Sequence, residues 1–548
     1  MPPRLITLLA SRWTRWIALA IVVLIGALTR APGFSSGQPW FDDAWVVLPA
    51  REPLSTAIHM VDTTPLFTLT MRSWILINPH SLMWDQSPIF VLGLVSIVAV
   101  YLLLRFFKVS ELLALLGALV IAVSPVAVTY STRIKQYNLD IIFACLVLWL
   151  FERWRRSPDR RGALAVAGVS SIALLSSASS MVIVAPVCLV ALHGAVVERR
   201  RRVDAAVLIG VVGTVFVAEY LIWLRHLSHG LHVGWTNRGY MLTFTTFRKF
   251  AFSLENMGSE FFHWMIAMPA GHPPDPSKQI TAAGMLVSAG TVLVLAAVSL
   301  PVLWRAARNF RTVAGPRTAA AIAIWFAVFL ALAGVSPFGG GRTDEVLYPA
   351  VLLLLLGALS EVVPRRAVPT RAVVILGVAV AATLVVVGAT NPAAYPTTKL
   401  TALYAKLEPR VTSHQYIVVD PWLTFGWGVG GYTKTSVSFS HSFFDWSQGF
   451  HVVSDDPQVV ISDQYFFPQY IWRYLHQTHH ELWYVGMTAG ASWPSPSAQD
   501  PLDSTRNYHA LRLLGWVPTS TTLRTDHTIA ILMRYDARQD LSLIPPKK

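Results

Sequence analysis

The chain has 548 residues, of which 54% are hydrophobic and only 14% are charged, a balance that excludes an ordinary soluble globular protein. The net charge of +14 does not indicate nucleic-acid binding, because the basic residues form short clusters between apolar runs. Cys145 and Cys188 lie inside apolar runs, which excludes a thiolate metal site and a disulfide framework. The composition predicts a polytopic α-helical membrane protein.

The N-terminus resembles a secretory signal, with Arg4, Arg12 and Arg15 around the start of an apolar stretch at 16–29. The tripeptide Leu28-Thr29-Arg30 is a poor small-residue cleavage site. We therefore predict an uncleaved first helix.

Eleven apolar runs are long enough to be membrane helices. They lie at 13–30, 88–107, 111–131, 137–152, 162–179, 181–197, 204–225, 281–304, 318–336, 346–363 and 371–390. The stretch 162–197 is one uncharged run, so it holds two short helices only if the chain turns at Ser176–Ser180.

The loops between these runs alternate in charge. Basic residues cluster at 105–110, 152–161, 198–204, 305–317 and 364–371, and the positive-inside rule assigns such short loops to the cytoplasm. The prediction is a plasma-membrane protein with a cytoplasmic N-terminus. A membrane module at 1–390 then has large outer loops at 31–87 and 226–280, and residues 391–548 form an extracytoplasmic domain.

Two outer stretches are apolar but too interrupted to span the membrane. They are the segments 65–69 and 74–77 of the first loop and the aromatic-rich stretch 241–269, and both fit interfacial helices. The tail differs, because helical spacing at 400–407 and 508–514 alternates with strand-like runs at 416–420, 482–485 and 529–535. This alternation predicts a small α/β sandwich.

The ionisable residues in or beside the runs indicate surface chemistry. They fall near the predicted outer ends of helices: Asp42, Asp43, Arg133, Lys135, Asp140, Glu219, Arg342, Asp344 and Glu345. A transporter would place charges near the midplane instead. The adjacent carboxylates Asp42 and Asp43 are suited to accepting a proton near a lipid surface, although acidic residues in a solvated loop give the same pattern.

Cations on the outer side run against the usual charge bias. Arg133 and Lys135 precede one span, and Gly339-Gly340-Gly341-Arg342 joins two others. Glycines allow close backbone approach, and an arginine binds phosphate through two hydrogen bonds. An anionic lipid headgroup accounts for these residues, and a flexible turn with a solvated arginine is the alternative for Arg342.

Two histidine groups have spacings that a metal site requires, namely 226, 229, 232 and 476, 479, 480. Neither has an evident carboxylate or thiolate to complete a ligand set. We interpret them as hydrophilic loop residues and predict no cofactor; a divalent metal is not indicated.

The pattern resembles the GT-C glycosyltransferases, within them the protein O-mannosyltransferase and aminoarabinose-transferase group. The resemblance rests on a first span followed by Asp42-Asp43, on Thr64-Pro65-Leu66-Phe67, on the segment Arg133–Asp140 and on the tail after the last span. The chain departs from the group at Asp43, where the group usually has glutamate.

The resemblance implies inverting transfer of a sugar from a polyprenyl-phosphate donor to an envelope glycan, lipid or protein on the outer face. Asp42 aligns with the catalytic base and Asp43 with its neighbour, while Arg133, Lys135, Tyr137 and Arg342 fall where the lipid phosphate binds. Two other functions remain open, a transporter or flippase of lipid-linked glycans and a non-catalytic envelope scaffold.

Overall fold

The structure, a computed structural model, describes part of the chain in two compact units. The described residues are 12–35, 43–59, 64–79, 81–222, 246–266, 282–312, 314–362, 400–413, 415–419, 435–439, 450–454, 459–461, 481–487, 514–524 and 528–540, with single residues at 224, 240, 241, 423, 427, 508, 511 and 512. Unit 1 comprises 1–34, 63–67 and 87–394, and unit 2 comprises 35–62, 68–86 and 395–548.

The helices follow the predicted runs. In chain order they are α1 Arg12–Ser35, α2 Ala44–Arg51, α3 Leu54–His59, α4 Pro65–Ile75, α5 Leu82–Phe106, α6 Glu111–Val123, α7 Pro125–Tyr130, α8 Tyr137–Arg156, α9 Arg160–Ser176, α10 Met181–Val197, α11 Arg202–Ile222, α12 Phe247–Ile266, α13 Ala282–Arg308, α14 Pro316–Leu332, α15 Tyr348–Val362 and α16 Leu400–Leu407. Among the described residues, five apolar helices are long enough to cross a membrane, at 15–34, 82–106, 178–197, 199–222 and 282–308.

These helices confirm a multi-pass helical membrane architecture. Helices occupy ten of the eleven predicted runs, and the eleventh, at 371–390, lies outside the described residues. The total of eleven spans, the orientation of the termini and the domain boundary at 391 stay predictions.

The predicted run 111–131 is two helices rather than one. Helix α6 ends at Val123 and α7 begins at Pro125, with Ser124 extended between them at ψ 123°. A proline disfavours the helical conformation in the residue before it. The last carbonyls of α6 consequently need hydrogen-bond donors from elsewhere in the chain.

The predicted serine turn is confirmed. Helix α9 ends at Ser176, residues Ala178–Ser180 form one 3₁₀ turn, and α10 begins at Met181. The turn places the buried residues Ser177 and Ser180 at the end of α9 and the start of α10.

In the region 31–87, the segment predicted at 65–69 belongs to α4, and the segment at 74–77 continues from its end into a turn. The rings of Trp74 and Trp84 stack at 4.2 Å. Each indole nitrogen donates to the other residue's backbone carbonyl, at 2.9 and 3.0 Å. This reciprocal pair ties the end of α4 to the start of α5.

The tail contains a mixed five-stranded sheet. Its strands are β1 Tyr416–Val419, β4 Val459–Ile461, β5 Glu481–Met487, β6 Leu514–Arg524 and β7 Thr528–Asp540, in the order β4-β1-β5-β7-β6. Strand β1 is parallel to β4 and β5, whereas β7 is antiparallel to β5 and β6. Strands β2 Thr435–Phe439 and β3 Phe450–Ser454 form a separate antiparallel pair.

Side chains on β1 and β5 alternate between two apolar clusters, as strand geometry requires. On one side Ile417 and Trp483 pack with α16, and on the other Val418 and Tyr484 pack with Trp516. The predicted strands at 416–420, 482–485 and 529–535 coincide with β1, β5 and β7. An extracytoplasmic location for this part stays a prediction.

Candidate functional site

The most constrained charge in unit 1 is Arg30, near the C-terminal end of α1. Its side chain is fully buried and donates from Nη1 and Nη2 to the carbonyls of Ala122 (2.6 Å) and Ile121 (3.0 Å). Nη1 also donates to the Gly26 carbonyl at 3.0 Å, and Nε donates to Ser131 Oγ at 2.7 Å. Arg30 therefore supplies the donors that the broken end of α6 lacks, where a cation also complements the helix dipole.

A glycine on α5 makes room for this arginine. A Cβ at Gly93 would lie 2.0 Å from Ser131 Oγ and 3.2 Å from Arg30 Nε. Such distances cannot be accommodated without displacing the serine. The absence of a side chain at Gly93 thus allows Arg30 and Ser131 to meet.

The start of α8 continues the polar network. Asn138 is buried and donates from Nδ2 to Ser131 Oγ at 3.0 Å, while its Oδ1 has no hydrogen-bond partner among the described residues. Two residues further along α8, the fully buried Asp140 accepts hydrogen bonds from Ser177 Oγ (2.9 Å) and Ser180 Oγ (3.3 Å). The serine turn therefore holds a carboxylate inside unit 1.

Two further carboxylates follow the glycine link. Glu345 is fully buried, and neither carboxylate oxygen has a hydrogen-bond partner among the described residues. Burial, reinforced by Asp140, raises the pKa of Glu345 well above its usual range, and Arg30 opposes that rise. Burial likewise raises the pKa of Asp344 to about 8, although the Gly341 N–H donates to its Oδ2 at 3.1 Å.

The predicted phosphate ligands Arg133, Lys135 and Tyr137 lie on one short segment between α7 and α8. Arg133 and Lys135 are 3% and 5% exposed, so they are not solvated surface cations. The ring of Tyr137 is buried edge-on against Tyr130 at 4.7 Å. A buried cationic segment of this kind offers a low-dielectric environment for an anion.

The predicted glycine link has a structural explanation. Gly339 and Gly341 have φ values of +81° and +75°, which favour glycine. A Cβ at Gly339 would lie 2.6 Å from the carbonyl oxygen of Met257. The glycine therefore allows the backbone of the link to lie against the backbone of α12. Arg342, which follows, is half-buried.

In unit 2 the structure describes one member of the carboxylate pair. Asp43 is fully buried immediately before α2, whereas Asp42 lies outside the described residues. Asp43 interacts electrostatically with Asp85, and Arg51 Nη2 lies 3.3 Å from Asp85 Oδ2. Burial lowers the pKa of Arg51, and Asp85 opposes that change.

A second arginine fixes the end of α2. Arg72 on α4 donates from Nη1 to the carbonyls of Ala50, at 2.7 Å, and Glu52. The helix that begins at Asp43 is thereby held at its far end. Asp85 Oδ1 and the amide of Gln86 are buried without hydrogen-bond partners among the described residues.

The sequence did not single out several of these residues: Arg30, Arg51, Asp85, Ser131 and Asn138. For the arginines and Asp85 the available signal was a charge within or beside an apolar run. The described residues contain no group of three or more metal-ligating side chains, and the predicted histidine groups lie outside the described residues.

Three solved structures resemble the chain at low identity. ArnT from Cupriavidus metallidurans in the apo state is 14% identical, with 98% of this chain and 100% of that chain covered and a TM-score of 0.48. The same protein bound to undecaprenyl phosphate is 13% identical, with 95% and 98% covered and a TM-score of 0.47. The oligosaccharyltransferase AglB from Archaeoglobus fulgidus, in complex with an inhibitory peptide and a dolichol-phosphate, is 12% identical, with 98% and 75% covered and a TM-score of 0.46.

A search of curated proteins finds no match. The family described as dolichyl-phosphate-mannose-protein mannosyltransferase matches residues 62–223. This range includes Arg133, Lys135 and Tyr137 but not Asp42–Asp43 or Arg342. The match confirms, over residues 62–223, the predicted resemblance to the protein mannosyltransferases of the GT-C group.

Proposed function

We propose that the chain is a membrane glycosyltransferase that moves a sugar from a polyprenyl-phosphate donor to an envelope acceptor on the outer face. The observation that carries the proposal is the mannosyltransferase match over residues 62–223. Arg133 and Lys135 lie buried inside that range, and buried ionisable residues of membrane proteins commonly mark functional sites.

In the proposed reaction, the acceptor hydroxyl oxygen forms a bond to the anomeric carbon from the face opposite the phosphate. The bond between the anomeric carbon and the phosphate oxygen breaks, and the configuration inverts. Asp42 takes the hydroxyl proton as general base, a role that contributes about 10² to 10⁴ in rate. The buried Asp43 has a positioning role before α2.

The leaving group is the lipid phosphate, on which negative charge develops as the bond breaks. Arg133, Lys135 and Arg342 stabilise that charge, and the Tyr137 hydroxyl donates a hydrogen bond to it. Fixed cations in a water-poor site stabilise a developing charge more strongly than solvent does. The proposal includes no cofactor and no metal.

The test is transfer from a radiolabelled polyprenyl-phosphate sugar in membranes that contain the full chain. We expect Asp42→Asn to lower transfer about 10² to 10⁴-fold, with Asp43→Asn less affected. The matched control is Glu408→Gln, an exposed carboxylate after α16, which should transfer like wild type. Equal transfer by wild type and Asp42→Asn would overturn the base assignment.

The flippase alternative is tested with the same membranes. A flippase would move the lipid-linked sugar between leaflets without forming a glycosidic product. Translocation by wild type in the absence of transfer would replace the proposal with that alternative. If wild type shows neither transfer nor translocation, the scaffold function is the one that remains.

A further inference from the structure

Three basic loops of unit 1 present exposed arginines. We call six of them the arginine face, two from each loop: Arg160 and Arg161, Arg199 and Arg202, Arg308 and Arg311. The three loops at 152–161, 198–204 and 305–317 contain thirteen arginines, no lysine and four carboxylates. The large cationic excess is independent of the residues proposed for sugar transfer.

Contacts connect the first two loops directly and the third loop to α10, which leads into the second loop. Arg201 is buried and donates from Nη1 and Nη2 to the carbonyl of Arg155, both at 3.1 Å. The Phe310 carbonyl oxygen lies 2.9 Å from His193 Nε2 near the end of α10, and the two rings pack edge to face at 4.5 Å. The arginines are therefore held on a shared scaffold rather than on independent loops.

Two of the four carboxylates form ion pairs inside this scaffold. Glu152 is held by Arg155 at 2.6 Å and Arg156 at 2.7 Å. Glu198 is held by Arg200 at 2.8 Å and Arg201 at 2.9 Å. Since these acids are neutralised locally, they do not offset the charge of the arginine face.

The surroundings of the face indicate which anion compensates it. The face borders helices long and apolar enough to cross a membrane, α11 and α13. Trp304 and Phe310, at the end of α13 and just beyond it, are 68% and 58% exposed. Exposed aromatic rings beside arginines are typical of the level of lipid headgroups.

We propose that the arginine face binds the headgroups of anionic diacyl phospholipids in the leaflet that it borders. Guanidinium groups match the geometry of a phosphodiester through paired N–H donors. Basic residues at a membrane surface attract anionic lipid by about 1 kcal/mol each, so several arginines on one scaffold select anionic over zwitterionic lipid. The same loop charge serves the positive-inside rule, but topology alone requires no selective lipid binding.

The test compares lipid retention by the purified full chain in detergent, measured with phosphatidylglycerol and with phosphatidylcholine of identical acyl chains. We expect wild type to retain phosphatidylglycerol preferentially, and less of it as sodium chloride rises. The variant Arg160→Gln/Arg199→Gln/Arg308→Gln removes one arginine from each loop. It should weaken phosphatidylglycerol binding about one hundredfold, from about 1 kcal/mol for each arginine.

The matched control is Lys406→Gln/Arg410→Gln/Arg524→Gln, which removes three exposed cations from unit 2 and should bind like wild type. Labelling of a tail cysteine with an impermeant maleimide verifies that both variants insert like wild type. Inorganic phosphate that carries the same total charge as the phosphatidylglycerol should not displace this lipid. Displacement would replace the proposal with a site for free phosphate.

Equal retention of the two lipids by wild type, or equal losses in the two variants, would overturn the proposal. If the glutamine variant does not insert, Arg160→Lys/Arg199→Lys/Arg308→Lys keeps the loop charge. This variant should keep the anionic preference with reduced affinity. Retention by wild type that is independent of salt would also refute the proposal.

Discussion

Replacement of Arg30 by methionine tests whether this residue holds unit 1 together. Methionine keeps much of the side-chain length but donates no hydrogen bond. The substitution would leave the Ile121 carbonyl without its side-chain donor. The carbonyls of Gly26 and Ala122 would lose Arg30 and keep only the hydroxyl of Thr29 nearby. It would also remove the cation that interacts with Glu345.

The expected cost follows from these contacts. Each buried acceptor left without a donor costs about 1 to 3 kcal/mol. We expect a loss of about 1 to 3 kcal/mol, which is roughly five- to a hundredfold in an equilibrium constant.

The assay is the thermal midpoint of monodispersity in detergent, compared at one heating rate because membrane proteins commonly unfold irreversibly. Arg410→Met, an exposed arginine in unit 2, is the control and should match wild type. A midpoint for Arg30→Met equal to that of the control would refute the reasoning.

Three further predictions address other parts of the chain. The unfolded-state pKa of Asp344 is near 3.8 and its folded-state pKa is about 8, so the folded protein binds this proton more tightly and its stability falls between about pH 4 and pH 8. The thermal midpoint of Asp344→Asn relative to wild type should therefore rise from pH 5 to pH 8. A difference between the two midpoints that is constant with pH would contradict this. Gly339→Ala, at φ +81°, should cost about 1 to 3 kcal/mol in detergent stability, whereas Gly168→Ala, in open helical space, should be neutral or stabilising by up to about 1 kcal/mol. Gln415→Leu leaves the buried indole N–H of Trp483 without the acceptor that now lies at 3.1 Å. The free energy of unfolding of the full chain in urea should therefore fall by about 1 to 3 kcal/mol. An unchanged urea midpoint would show that water replaces the amide.

The features that the sequence predicted well depend on neighbouring residues. Hydropathy located the helices because a helix of about 20 apolar residues is a local property. The serine turn at 176–180 was predictable because one uncharged run was too long for a single helix. The strands β1, β5 and β7 followed from short β-branched and aromatic runs.

The sequence did not predict the pairing of charges, because the partners are far apart in the chain. Arg30 and Ser131 are 101 residues apart, and Arg51 and Asp85 are 34 apart. The break at Ser124-Pro125 was visible as a proline, but no local signal identifies the residue that caps the broken helix. The reason for a glycine at position 339 could not be predicted either, since Gly339 approaches Met257, which lies on a helix far away in the chain.

The arrangement of charge in unit 1 explains why these distant pairings matter. Arg30 is the cation that lowers the pKa of Glu345, while Asp140 and Asp344 raise it when they are ionised. One guanidinium cannot compensate three ionised acids in a low-dielectric interior. This arrangement favours the protonated form of Glu345, in agreement with the upward direction of its pKa. Ionisation of Glu345 should therefore destabilise unit 1 unless a second cation is supplied.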